Sequence, residues 1–107
     1  MNINNNDKKI SRIYNGGILV WRPPEVMYDI SGFNIGEENL RFKTYPGSTD
    51  VEVKIYKNSG EEEDYKTRST TIGLVLIMLK SSLKEGDSID ISFKKSGWAD
   101  SFYSQFF

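Results

Sequence analysis

The stretch Leu40–Tyr56, LRFKTYPGSTDVEVKIY, is the most regular part of the chain. Leu40, Phe42 and Thr44 alternate with Arg41, Lys43 and Tyr45; beyond Pro46-Gly47-Ser48-Thr49, Val51, Val53 and Ile55 alternate with Glu52, Lys54 and Tyr56. A period of two places successive side chains on opposite faces of a strand. Pro-Gly-Ser-Thr is turn chemistry. Two alternating runs around a short turn predict a β-hairpin. Its inward face would be Leu40, Phe42, Val51, Val53 and Ile55. Its outward face would collect Arg41, Lys43, Tyr45, Lys54 and Tyr56.

C-terminal to this hairpin, Asn58-Ser59-Gly60 marks a second turn, and a strand through Tyr65–Thr70 would complete a three-stranded meander. The run Leu74-Val75-Leu76-Ile77-Met78-Leu79 is apolar on every face, so periodicity alone leaves helix and strand open. A capping threonine at 70 or 71 and the polar Lys80-Ser81-Ser82 favour a short helix over about 72–83. Lys84–Asp87 reads as a tight turn, Ser88–Phe93 as a strand, and Lys94–Gly97 as another turn. Trp98–Phe107 holds five aromatics in ten residues. On the N-terminal side, residues 1–10 read as a flexible polar tail. Ile18-Leu19-Val20-Trp21 is strand-like and is ended by Pro23-Pro24, which cannot donate to a ladder. Between residues 25 and 39, glycines and asparagines mark turns, with Phe33 and Ile35 as core anchors. The expected architecture is one mostly β domain over 11–107: a small antiparallel barrel or strongly curved sheet of five to seven strands, with one short helix.

Composition agrees. A chain of 107 residues suits one core. Its 37% hydrophobic and 27% charged shares are those of a globular protein. Aromatics at 13% lean toward strands. A net charge of −1 argues against a dedicated electrostatic DNA binder, whose domains are strongly basic. The polar, Asn-rich start shows no secretory signal, and no apolar run approaches bilayer length, so a cytoplasmic protein with no membrane association is expected. The Lys, Ile and Asn bias suggests a bacterium, plasmid or phage with an AT-rich genome.

The chain has no histidine and no cysteine. Ser-His-Asp triads, Cys-His dyads and the usual zinc sites are therefore impossible. Neither GxxxxGK nor GxGxxG occurs. No catalytic residue, metal site or cofactor is expected, and the chain does not read as an enzyme. Asp87 and Asp90 are three apart and would point to opposite faces of a strand. Glu61-Glu62-Glu63-Asp64 reads as a solvated loop.

Two features are specific enough to bind something. The outward face of the hairpin, extended by Lys66 and Arg68 of the next strand, interleaves cations with tyrosines. Cations neutralise phosphates, and rings stack on bases; the plainer reading is a solvated sheet face. The second feature is the tail. Trp98, Phe102, Tyr103, Phe106 and Phe107 either close the core or form a protein-binding surface.

The order within Val51–Phe93 resembles small pseudo-barrel nucleic-acid-binding domains. Val53–Tyr56 and Tyr65–Arg68 as strands, an Ile72–Leu79 segment, the turn Leu83-Lys84-Glu85-Gly86-Asp87 and the strand Ile89–Phe93 are similar to the DNA-binding domain of plant auxin-response transcription factors and its bacterial restriction-enzyme relatives. Thr71-Ile72 ahead of the turn resembles AbrB-like swapped-hairpin regulators, and the Gly-Asp turn resembles PUA-like RNA-binding barrels. Gly73 stands where the AbrB-like pattern has proline, and the arginine-rich surface is missing. The resemblance implies a β-barrel that binds nucleic acid. The expectation is thus a non-catalytic nucleic-acid-binding regulator, RNA ahead of DNA, acting through Arg41, Lys43, Tyr45, Lys54, Tyr56, Lys66 and Arg68. The alternative is a small protein-binding module or inhibitor acting through its aromatic C-terminus and acidic loop.

Overall fold

The computed structural model describes residues 23–107. The expected tail over 1–10 and the strand-like run Ile18–Trp21 lie outside the described residues. The elements are β1 (Met27–Asp29), β2 (Asn39–Tyr45), β3 (Asp50–Tyr56), β4 (Glu62–Arg68), β5 (Leu74–Met78), β6 (Ser88–Lys94) and β7 (Ser101–Phe106). They form two antiparallel sheets, ordered β1-β2-β5 and β4-β3-β6-β7. The fold is a sandwich and not a closed barrel. Its strand order is that of an immunoglobulin-like Greek key whose fourth strand pairs with the third rather than the fifth. No helix among the described residues is long and apolar enough to cross a membrane.

Two expectations are corrected. The first is the hairpin over Leu40–Tyr56. Both strands form, and their inward residues Leu40, Phe42, Val51, Val53 and Ile55 are all buried. They do not pair with each other: β2 pairs with β1 and β5, β3 with β4 and β6. Residues 46–49 cross from one sheet to the other. Thr44 and Thr49 each donate their hydroxyl to the Pro46 carbonyl at 2.8 Å. The Thr49 N–H donates to Ser69 Oγ at 2.9 Å, and the Ser48 N–H to the Thr70 carbonyl at 2.9 Å. The last two bonds tie the crossing to the return crossing between β4 and β5. A Cβ at Gly47 would collide with the Thr71 carbonyl, so the two crossings touch backbone to backbone. Alternation reports which face is buried; it is silent on which strand lies alongside.

The second correction is the helix over about 72–83. Residues 74–78 are strand β5, paired with β2. Val75 and Ile77 are buried, while Leu74, Leu76 and Met78 are exposed. The β-branched residues take the inward positions, and Gly73, at φ +90, sets up the entry with its α-carbon against the Thr44 carbonyl.

The expected turn at Asn58–Gly60 and strand over 88–93 form; the strand expected over 65–70 runs Glu62–Arg68, so it takes in most of the acidic run expected as a loop, and it pairs with β3 without β2, so the expected three-stranded meander does not form. Phe33 is core; Ile35 is exposed. The interior is an aromatic chain between the sheets. Tyr28 stacks on Phe93 with ring centres 4.8 Å apart, and Phe42 meets Phe93 edge-on at 6.0 Å. Phe33 contacts Phe42 and Tyr103 at 6.2 and 6.0 Å.

Both open sides of the sandwich are stitched. On one, the Tyr65 hydroxyl of β4 accepts from the Lys80 N–H at 2.9 Å and donates to Glu63 at 2.6 Å. On the other, residues 24–26 bond to Ala99, the Tyr28 hydroxyl donates to the Phe102 carbonyl at 2.9 Å, and Gln105 bonds both backbone groups of Phe33.

Candidate binding surfaces

The seven cationic and tyrosyl residues picked from the sequence do not share a face. Arg41, Lys43 and Tyr45 project from the outer face of the three-stranded sheet; Lys54, Tyr56, Lys66 and Arg68 project from the outer face of the four-stranded sheet, on the opposite side of the sandwich. The crossing at 46–49 separates them.

On the four-stranded face the charges alternate in sign. Across the strands run Arg68–Asp50–Lys94, Lys66–Glu52–Ser92–Phe102, Asp64–Lys54–Asp90–Ser104 and Glu62–Tyr56–Ser88–Phe106. Arg68 pairs with Asp50 at 2.8 Å, and Lys66 approaches Glu52 at 4.0 Å. Each cation has an acid as its cross-strand neighbour, so the face has no net positive field. A shallow hollow of ≈ 370 Å³ lies between Phe102, Ser92, Glu52, Lys54 and Asp90. Among the described residues, no group of three or more carboxylates converges as metal ligands would.

The three-stranded face is different. In register, Met27 lies beside Tyr45, Asp29 beside Lys43 beside Leu74, Arg41 beside Leu76, and Asn39 beside Met78. Leu74, Leu76 and Met78 are 42%, 55% and 68% exposed, and Ile72, just before the strand, 72%. A strand repeat of about 6.8 Å carries the side chains of Leu74, Leu76 and Met78 in a row along the sheet edge, with Ile72 in the turn before it. Arg41 and Lys43 flank the row. Sequence reasoning assigned all four apolar residues to a core helix. The signal that separates them was present: β-branched Val75 and Ile77 alternate with unbranched Leu74, Leu76 and Met78.

The aromatic tail is strand β7, and its side chains divide. Tyr103 and Phe107 pack against the core, as does Trp98 in the preceding turn. Phe102 and Phe106 point outward. Of the five, three belong to the structure and two are free to meet a partner.

The sharpest buried electrostatic feature lies away from these surfaces. Asp87 is 1% exposed and pairs with Lys57 at 2.6 Å. It also accepts the N–H groups of Asn58 and Lys84, each at 2.9 Å. Burial alone would raise its pKa, but the Lys57 ammonium and the two N–H donors outweigh it and hold the carboxyl below its ordinary value. Lys57 also donates to the Ser82 carbonyl at 2.9 Å. The group fastens the β3–β4 turn to the turn before β6, and it is structural. No family model, no curated protein and no solved structure matches this chain.

Proposed function

We propose that this domain is a non-catalytic protein-binding module whose docking surface is the outer face of the three-stranded sheet. The observation that carries the reading is the row Leu74, Leu76 and Met78, solvent-facing on a folded strand whose alternate residues fill the core, with Ile72 exposed in the turn before it. Exposed apolar side chains are common singly, but a contiguous row on a sheet face is the usual mark of an interaction site. Arg41 and Lys43 border the row. They favour a partner that brings an apolar strip edged by carboxylates, with the charges setting orientation and the apolar contact supplying affinity. A nucleic-acid role through the seven residues read from the sequence draws no support from their placement, because they stand on opposite sides of the sandwich.

A photo-crosslinking residue placed at Leu76, and separately at Thr67 on the opposite sheet, tests this in the cells that make the protein. One protein captured at 76, not at 67, and lost when Met78→Glu is added, is the expected result. Equal capture at both positions, or none at 76, would overturn the proposal.

A further inference from the structure

β7 is an edge strand: it pairs with β6 on one side, and among the described residues no strand pairs along its other side, which residues 24–33 touch through the Glu25–Ala99 bridge just before β7 and through side-chain bonds of Tyr28 and Gln105. Which backbone groups it leaves open follows from its bonds. The Phe107 N–H donates to the Asp87 carbonyl at 2.9 Å, and the Phe107 carbonyl accepts from the Gly86 N–H at 2.7 Å, so Phe107 faces the β6 side. In an antiparallel ladder the facing alternates residue by residue. Gln105, Tyr103 and Ser101 therefore also face β6, and Phe106, Ser104 and Phe102 turn their N–H and C=O groups to the open edge. The Tyr28 hydroxyl, arriving from the other sheet, bonds the Phe102 carbonyl and agrees with this parity.

The same three residues carry the outward side chains, and these alone, Phe102, Ser104 and Phe106, read alike in both directions about Ser104. We propose that a second copy of this chain pairs with β7 antiparallel about a two-fold axis at Ser104, joining the two four-stranded sheets into one continuous sheet. Ser104 then opposes Ser104 of the second copy, and each Phe102 opposes the other copy's Phe106. All three are hydrogen-bonded pairs; since each Phe102 carbonyl already accepts from Tyr28, roughly four backbone bonds form without displacing that contact. Phe102 and Phe106, 65% and 84% exposed in the single chain, become two cross-strand aromatic pairs on one face. Such an isologous contact closes at two copies and cannot grow into a fibre.

Charge selects this edge over the other edge of the same sheet. β4 carries Glu62, Glu63, Asp64, Lys66 and Arg68 in seven residues, the kind of charge density that guards edge strands against pairing. β7 carries no charged residue, so two copies meet with no like charges opposed.

The chain has no cysteine, so a single introduced thiol reports the register without ambiguity. The expected result is that Ser104→Cys forms a disulfide-linked dimer under mild oxidation while Lys66→Cys on β4 stays monomeric. Light scattering of the unmodified protein should show a mass rising with concentration toward two copies. Ser104→Pro removes an N–H that faces the open edge, so the ladder to β6 survives and the protein should remain folded by circular dichroism but monomeric. Phe106→Glu provides the same test without altering the backbone. A monomer at high micromolar concentration, or a dimer that persists in both Ser104→Pro and Phe106→Glu, would overturn the proposal. Loss of the dimer in Leu76→Lys with retention in those two variants would also overturn it, and would move self-association to the β5 face.

Discussion

At Asp87 a single side chain decides whether two turns hold together. Its partner Lys57 is 8% exposed, so both charges sit away from water and are satisfied by each other and by backbone groups. Removing one member leaves the other buried without a counter-charge. Asp87→Asn should therefore destabilise the fold by about 3–5 kcal/mol, read from urea midpoints at neutral pH. The pH dependence has a definite sign. The folded-state pKa is lowered, so the stability from this group is fully present above the ordinary carboxylate value of about 4 and is lost as pH falls through the lower folded value. Midpoints measured from pH 6 down to pH 2 should be flat and then fall, and Asp87→Asn should fall less steeply. In Lys57→Met one of the lowering influences is gone, so the decline should begin at higher pH. The sequence marked Gly86-Asp87 as turn chemistry only. Nothing local could indicate that Lys57, thirty positions earlier, reaches the same carboxylate.

The contrast within β5 belongs to the level of the element. Ile77 is 6% exposed and Leu76 is 55% exposed, one position apart. Ile77→Ala should cost about 2–4 kcal/mol, because it empties core volume. Leu76→Lys should change stability by less than about 0.5 kcal/mol, because it alters only a solvent-facing position. In a buried helix both changes would be severe, so denaturation of this pair of variants separates strand from helix without a new structure. Strands β2, β3 and β6 were legible because an apolar inner face alternates with a polar outer one, from Leu40 to Tyr56 and from Ser88 to Phe93. β5 was not legible because its outer face is apolar too, and that same departure from the pattern is what makes it a candidate docking surface. β7 hid its division for a similar reason. Five aromatics in ten residues look uniformly apolar until the ladder to β6 shows Tyr103 turned inward and Phe102 and Phe106 turned out.

For the molecule as a whole, the decisive fact is the crossing at residues 46–49. A hairpin there would have united Arg41, Lys43, Lys54, Lys66 and Arg68 on one face; the sandwich sends two to one side and three to the other. The binary pattern of Leu40–Tyr56 is identical in the two topologies, and what separates them is long-range: Ser69 reaching Thr49 and Thr44, and Gly47 lying against Thr71. The consequence for nucleic acid can be measured. Affinity for a phosphate backbone grows with the number of phosphates a surface neutralises, at about 0.9 units of log K per contact per unit of log salt on duplex DNA and about 0.7 on single strands. The three-stranded face offers Arg41 and Lys43, with Asp29 beside Lys43; on the four-stranded face Lys54, Lys66, Arg68 and Lys94 each stand beside Asp90, Glu52 or Asp50. Neither can neutralise more than about two phosphates without opposing carboxylates at the same time. Fluorescence anisotropy with labelled single-stranded RNA and with duplex DNA should therefore show no saturable binding at moderate salt, and a salt slope no steeper than about −2 where binding appears at low salt. Saturable binding with a steeper slope, abolished by Lys43→Glu alone or by Lys54→Glu alone, would identify one face as a nucleic-acid surface and would displace the protein-docking reading from it.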